Sequence, residues 1–463
     1  MKALCKFLLV LFFLPYFSFG QTIAAGGWHS LSVCNDNTVR AWGLNASGQL
    51  GNGTSGTPIP VPVQVTSLAG ITSIAGGGYH SLALKNDSTV WTWGYNSYGE
   101  LGNGTNTDSN VPVQVSSLTG ITAIAGGMFH SFVLKNDSTV WAWGKNDVSQ
   151  LGNGTNTDSN VPIQVSSLTG ITAIAGGMFH SLVLKNDSTV WAWGYNAFGQ
   201  LGNGNTNFVS NVPIPISSLT GIIAIAGGSS HSLALKNDGT IWAWGNNHDG
   251  QLGNGTNTDS NVPVPVSSLT DIIAIEGGAG HTLALKNDGT IWAWGLNLSG
   301  QLGNGTNTNS NIPVQINSLT GIIAVAGGSV HSLALKNDGT VWAWGDNDWG
   351  QLGNGTFGDT TDNNVPVQVV TGLCQIAQAV NAITEPLAIL VYPNPTTGKA
   401  NVQMSKLENV QIKIYDVLGE YIYQHIGTFS NLQIDLSSQP NGIYFLKMKT
   451  EQGIVNQKLI INK

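Results

Sequence analysis

Charge is scarce in this chain: Lys and Arg number 17 and Asp and Glu 25 in 463 residues, for a net charge of −8. Proteins that hold nucleic acid by its phosphates carry a basic patch or stripe. None is present here, which argues against DNA or RNA as a partner. Long apolar runs are also missing after the first twenty residues, so no later segment reads as a transmembrane helix, which needs ~20 consecutive apolar residues. Nucleophile motifs, phosphate-cradling loops and isolated carboxylate pairs do not stand out, so no catalytic residue is assigned and no cofactor is implied. Cysteine is nearly absent, with Cys5, Cys34 and Cys374 the three in the chain.

What the chain does have is glycine, 60 residues of it, with 41% hydrophobic residues recurring in register. That combination suits a turn-rich all-β protein and speaks against disorder. The first twenty residues are set apart. Lys2 and Lys6 precede an apolar run from Phe7 to Phe19, and Ser18-Phe19-Gly20 offers small residues where a signal peptidase reads, so cleavage is expected before Gln21. Residues 1–20 are thus expected to be a signal peptide, and the mature chain to be exported and soluble. Export removes Cys5 and leaves Cys34 and Cys374 either bridged or as two buried thiols.

The organising feature is a repeat. A marker histidine recurs at His29, His80, His130, His180, His231, His281 and His331, at intervals of 50 or 51 residues. Such self-similarity signals a repeat array or propeller. Each unit holds four short strand-like runs, such as Ile-Ala-Ile-Ala, His-Ser-Leu-Ala-Leu, Thr-Val-Trp-Ala-Trp and Pro-Val-Gln-Val, bounded by Gly, Asn or Pro. Lys-Asn-Asp-Gly or Lys-Asn-Asp-Ser between the second and third is a compact hairpin turn. Four antiparallel strands in each of seven units predict a seven-bladed β-propeller over residues 21–374. The final Val365-Pro366-Val367-Gln368-Val369-Val370 is expected to pair with the first blade and close the ring, with a Cys34–Cys374 disulfide clasping the seam.

Gly-x-x-His-Ser, the Asn-Asp-Gly turn, Trp-Gly-x-Asn and Gly-Gln-Leu-Gly, repeated in that order, resemble the repeats of the regulator of chromosome condensation family. Departures are few: Arg40 replaces the first tryptophan of a third strand, Glu100 a glutamine and Ser149 a glycine. The nuclear founder of that family acts on a small GTPase and on chromatin, settings that a signal peptide denies. Its wedge-like insertion also has no room in intervals this regular. The Gly-Trp-Arg-His-Thr motif of a related plant photoreceptor is missing as well. A secreted bacterial β-lactamase inhibitor protein resembling the same propeller is the nearer analogy, and it implies a binding role.

In an up-and-down blade the loops joining strands one to two and three to four share a face. Most variation among the repeats falls there. Trp28, Tyr79, Phe129 and Phe179 precede the histidine in the first four blades, and Tyr95, Tyr98, Tyr195, Phe198 and Trp349 follow third strands. No packing rule requires aromatics in these loops, so they are the candidate binding residues; the plainer reading is that they cover strand ends and touch only one another. Paired tryptophans such as Trp342 and Trp344 recur in nearly every blade and read as packing residues. Glu100, Asp147, Asp249, Asp346 and Asp348 are expected on the same face with only Lys145 against them, while the turn lysines lie opposite. An extracellular protein or a glycan fits such a surface. Seven histidines at fixed strand positions read as one structural hydrogen bond per blade and not as metal ligands. A polysaccharide-active enzyme or a surface adhesin are the competing functional readings.

Residues 375–386 break the period and read as a linker. Beyond it, Tyr392-Pro393-Asn394-Pro395-Thr396-Thr397-Gly398, the Asp416–Gly419 segment, the Gly442–Tyr444 segment and the Lys458–Lys463 end strongly resemble the type A C-terminal sorting domain of the type IX secretion system of Bacteroidetes. Over residues 387–463 the resemblance implies a small β-sandwich that engages the secretion machinery, with Tyr392, Pro393, Asn394, Pro395, Gly398, Asp416, Gly419, Gly442, Tyr444, Lys458 and Lys463 as its motif positions. It also implies a secreted or outer-membrane surface-attached product.

Overall fold

The computed structural model describes residues 22–115, 117–358, 360–370, 390–392, 399–416, 421–450 and 453–461. The expected signal peptide and Cys374 lie outside them. Two compact units divide the chain, residues 1–380 and 381–463. No helix among the described residues is long and apolar enough to cross a membrane.

The first unit consists of seven four-stranded antiparallel sheets, each built in strict chain order from the axis outward. The second blade is representative: an inner strand Ile71–Gly76, then His80–Lys85, Val90–Gly94 and the outer Ser109–Gln114. Hairpin turns follow the sequence. In the Lys-Asn-Asp-Ser turns Ser88, Ser138 and Ser188 sit at φ 63°, 63° and 64°, where Gly239, Gly289 and Gly339 serve the later blades. The Asp of each turn accepts from the backbone N and Oγ1 of the following Thr, as Asp87 does from Thr89 at 3.0 and 2.6 Å. A proline such as Pro112 in the outer strand withholds a donor at the exposed edge, which blunts pairing with another chain.

Blades are joined by one polar device repeated at each interface. His29 Nε2 lies 2.8 Å from Ser81 Oγ in the next blade, and Ser81 Oγ donates to the carbonyl of Gln49, back in the first blade, at 2.9 Å. That carbonyl also accepts Trp93 Nε1 at 2.8 Å. The second tryptophan of every third strand, Trp42 to Trp344, is completely buried in this way. Gly51 sits at φ 63° in Gly-Gln-Leu-Gly because a Cβ there would meet Trp93 Nε1 at 2.7 Å. The imidazoles need glycine for a similar reason: a Cβ on Gly77 would lie 2.1 Å from His80 Cε1. Around the axial mouth on the same side, backbone N–H groups donate from blade to blade. Gly27 donates to Gly77, Met128 to Met178, Ser229 to Ala279, and Ser329 back to Gly27.

Ring closure corrects one expectation. The last strand, Asn363–Gln368, pairs with Val341–Gly345 of its own blade and not with the first blade. The seam instead carries the device of every other interface: His331 Nε2 lies 3.0 Å from Ser30 Oγ, and the Gln351 carbonyl accepts Ser30 Oγ and Trp42 Nε1, both at 2.9 Å. Ile23 and Trp42 complete an apolar cluster with Leu333, Leu335 and Leu352 of the last blade. Each repeat already contains four strands that pair in order, so no strand is left over to be shared.

In the second unit five strands form one sheet, with Lys399–Tyr415 paired to Tyr421–Asp435 and to Gly442–Thr450. Both halves of the long Lys399–Tyr415 strand feed one core, through Ala400, Val402, Ile412 and Ile414. Tyr444 is buried there and donates its hydroxyl to the Pro440 carbonyl at 2.9 Å. Tyr392, Gly442 and Lys458 fall on strands, Asp416 just after one, and Pro393, Asn394, Pro395, Gly398, Gly419 and Lys463 outside the described residues.

If the seam is an ordinary interface, Ser30→Ala and Ser181→Ala should each cost ~1–3 kcal/mol of unfolding free energy, the range for a lost buried hydrogen bond. Denaturant titration should place the two within ~1 kcal/mol of each other. A much smaller loss for Ser30→Ala would mean that the ring is closed by something else.

Candidate functional site

The loop face is occupied by an unbroken run of ring contacts. Trp28, Tyr79, Phe129 and Phe179, each just before a marker histidine, stand side by side on four consecutive blades. Their centroids are 4.9, 5.8 and 6.2 Å apart and their planes 32°, 24° and 24° from parallel. An outer row leans on them by edges and tilts: Tyr95 and Tyr98 against Phe129, then Tyr195 against Phe179, with Phe198 beyond. All eight are half-buried. They therefore do touch one another, yet each keeps part of its ring in solvent. Trp349, the ninth expected residue, is 42% exposed and stands outside the run, in the loop of the last blade.

Two members escaped the sequence reading. Phe208, 61% exposed, meets Tyr195 edge-on at 5.1 Å, and His248 meets Phe198 at 6.1 Å. For Phe208 the available signal was the one-residue longer loop of the fourth repeat, where Asn207-Phe208-Val209 stands in place of the usual Thr-Asp pair. Lys145 crosses the run. Its Nζ lies 4.9, 5.6 and 5.8 Å from the ring centres of Tyr98, Phe129 and Phe179, and 3.0 Å from the Asp147 carboxylate. The face's one expected base is therefore neutralised by its neighbour and packed on rings. On the opposite face Lys85, Lys135, Lys185, Lys236 and Lys336 are engaged too, as where Lys85 pairs with Asp87 at 3.3 Å and lies 5.8 Å from the Trp91 ring.

The acids divide differently from the expectation. Glu100 is not on the surface; it is fully buried at the place of a motif glutamine. Its Oε2 accepts from Tyr98 N at 3.0 Å, as Gln150 Oε1 does from Val148 N, while Oε1 has no partner. Burial pushes its pKa up to about 8, so near neutrality it is protonated and imitates the amide it replaced. Asp249, Asp346 and Asp348 remain half-buried in the loops of the fifth and seventh blades. Asp346, Asp348 and Asp362 bring one oxygen each to within 4.8 Å of one another. Asp346 is raised to about 6 by burial, opposed by its bond from Asp348 N and reinforced by the neighbouring carboxylates. Asp362 went unnoticed because it reaches the group from the far end of the longest loop, where it accepts from Asn347 N at 2.9 Å.

The seven histidines are entirely buried. Each serine or threonine hydroxyl gives its one proton to a carbonyl, so it must accept from Nε2. That fixes the neutral tautomer, with Nδ1 bare and without a partner in all seven. Burial lowers their pKa values to about 3 or 4. Cys34 is buried and disulfide-bonded, with its partner outside the described residues.

With the geometry in hand, comparison places the first unit. An RCC1-like domain model matches residues 107–284, and regulator of chromosome condensation (RCC1) repeat models match 36–84, 288–335 and 338–379, and 21–49, 71–100, 272–301 and 322–351. A secretion system C-terminal sorting domain model matches residues 390–462. Among relatives, the human probable E3 ubiquitin-protein ligase HERC6 is 43% identical over 84 residues, 18% of this chain and 8% of that protein. The ultraviolet-B receptor UVR8 of Arabidopsis thaliana is 37% identical over 89 residues, 19% of this chain and 20% of that one. The chain thus spans a fifth or less of these relatives. Among solved structures, Prp20p of Saccharomyces cerevisiae aligns with a TM-score of 0.64 at 26% identity, covering 72% of this chain and 85% of that one. Human WBSCR16 aligns with 0.62 at 25%, covering 68% and 87%.

Two opposite pH effects follow. The histidines, lowered from 6.5, contribute stability that is complete above 6.5 and is lost as pH falls toward about 4. Glu100, raised from 4.5 to about 8, contributes stability that is complete below 4.5 and is lost as pH climbs through 8. Glu100→Gln should therefore gain on the wild type by ~1–4 kcal/mol between about pH 5 and pH 9. Melting curves across that range check it; parallel curves would mean that Glu100 is charged in the fold.

Proposed function

Because the chain carries RCC1 repeats in a seven-bladed ring and a secretion-system sorting domain after them in sequence, we propose that it is a secreted or surface-attached binding protein. In this reading residues 387–463 engage the type IX machinery, and the aromatic-acidic loop face holds an extracellular protein or glycan. The observation that carries it is the continuous run of rings from Trp28 to His248, on loop positions where the frame of the blade dictates nothing. Aromatic side chains are over-represented among the residues that dominate binding energy.

Repeats three and four support the same reading. Segments 101–144 and 151–194 differ only at Val113/Ile163 and Phe132/Leu182, yet the following loop reads Lys145-Asn-Asp-Val-Ser149 in one and Tyr195-Asn-Ala-Phe-Gly199 in the other. Difference gathers where a partner would touch. The chain has no catalytic role in this proposal. The ligase activity in one relative's name belongs to a protein of which the match spans 8%. Cys34 is assigned Cys374 as its partner.

Replacing Tyr95, Phe129, Phe179 and Tyr195 by Ala should reduce capture of partners from culture medium at least ~10-fold. Phe208→Asp, at a position 61% exposed, should weaken capture with an unchanged melt and so separates binding from folding. Capture that survives both changes refutes the face. Removal of residues 387–463 should leave the chain cell-associated, and normal export would refute the sorting role.

A further inference from the structure

Beside the inner row of rings lies an axial depression of about 300 Å³ at the mouth of the propeller, lined by Trp28, Met128, Met178, Ala279, Val330 and the paired glycines of the inner strands. Its chemistry is narrow. The backbone N–H groups that circle it already donate from blade to blade, Gly27 to Gly77 through Ser329 to Gly27. Of the hydroxyls lining it, Ser229 Oγ is directed at Met178 Sδ at 2.9 Å. Among the described residues, no charged side chain lines it. A phosphate, carboxylate or sugar would therefore surrender its hydration there and find few partners. An apolar group would lose nothing, and two methionines can adapt to its shape.

We infer that this depression is the anchor socket for one large apolar side chain of a protein partner, flanked in that partner by basic residues. The inference rests on the binding role proposed for this face and names the partner's chemistry. At about 300 Å³ the socket is at the low end of ligand pockets (~300–1,000 Å³), which suits a single side chain. The rings alongside point to a protein and not a glycan. A sugar stacks on an exposed ring face, whereas the faces of Tyr79, Phe129 and Phe179 are turned toward neighbouring rings within 24° of parallel. What they leave to solvent suits the irregular apolar surface of a polypeptide. Charge sets the flanks: Asp249, Asp346 and Asp348 hold the other side of the face, while Lys145 is already paired with Asp147 at 3.0 Å.

The five methionines make the test direct. With methyl-labelled methionine in the full chain, Met128 and Met178 report on the socket, and Met404 and Met448 of the second unit serve as internal references. Acetyl-Arg-Trp-Arg-amide should shift the two socket methyls saturably, at concentrations at least ~10-fold lower than acetyl-Glu-Trp-Glu-amide or acetyl-Arg-Ala-Arg-amide. Ala279→Trp, which fills the socket, should abolish the shift. No movement, equal movement with the alanine peptide, saturation by cellohexaose, or free indole binding as well as the tryptophan peptide would each overturn the inference. The socket fails separately from the face: if Ala279→Trp still captures the natural partner while the four-alanine chain does not, the face stands and the anchor is elsewhere.

Discussion

The fold depends on one three-way contact, in which a loop carbonyl of one blade accepts both a serine hydroxyl and an indole N–H of the next. The serine's single proton is thereby committed, so the histidine of the first blade must supply the proton between them, as His80 does to Ser131 at 2.7 Å. Tautomer, charge and burial of the imidazole all follow. A protonated ring would place a second donor on a buried Nδ1 that has no acceptor, and charging a buried group is far more costly than a hydrogen bond returns. The same contact accounts for motif residues that look unrelated in sequence. Gly clears the ring, Gln presents its carbonyl, and Leu fills the space below, as Leu101 does at zero exposure.

A frame held by one polar contact repeated at every interface can ignore what its loops carry. In every repeat the frame claims the glycines, the histidine, the hydroxyl, the second tryptophan and the motif Asn, whose Oδ1 takes the Leu N–H, as Asn96 does from Leu101 at 2.9 Å. It makes no demand on the residue before the histidine, which runs from Trp28 to Gly280, nor on the residue after Trp-Gly, which runs from Leu44 to Asp346. Sevenfold regularity below and variation above are thus two sides of one division of labour. The result is a lopsided surface, with rings over the first blades and carboxylates over the last.

Much of this was legible from the residues, because a fifty-residue period with four strand-like runs admits few folds and each turn carries its own chemistry. The histidines, too, were readable as structural, since a ligand set would not need one copy per blade at a fixed strand position. Three things were not readable. Closure misled, because the final Val365–Val370 looked like a strand without a partner; counting four strands per repeat, with Asn363–Gln368 paired inside its own blade, would have removed the need to share one. Glu100 passed for a surface acid because residue type was allowed to decide its place, whereas the motif position decides it: a frame site forces burial even on a carboxylate and changes its proton instead. Phe208 and Asp362 sit in loops whose lengths are peculiar to single repeats, while His248 stands in a loop of ordinary length at the place held by Ser97 and Ala197 in other blades, where nothing but its ring sets it apart.

The plain reading of the aromatic run and the binding reading need not compete. Rings that rest on one another are held in place before anything arrives, with Phe129 contacting Tyr79, Tyr95, Tyr98 and Phe179 at once. A partner then meets side chains whose rotamer freedom has already been lost in folding, so less ordering entropy opposes association. Two χ angles per ring make that loss small in the first place. Self-contact therefore works as preorganisation, and the half-burial that would suit a mere cover over strand ends is what a rigid binding surface requires. The lysine laid across three rings and tied to Asp147 belongs to the same arrangement: it fixes Tyr98, Phe129 and Phe179 from above while adding no net charge to a face whose remaining charges are acidic.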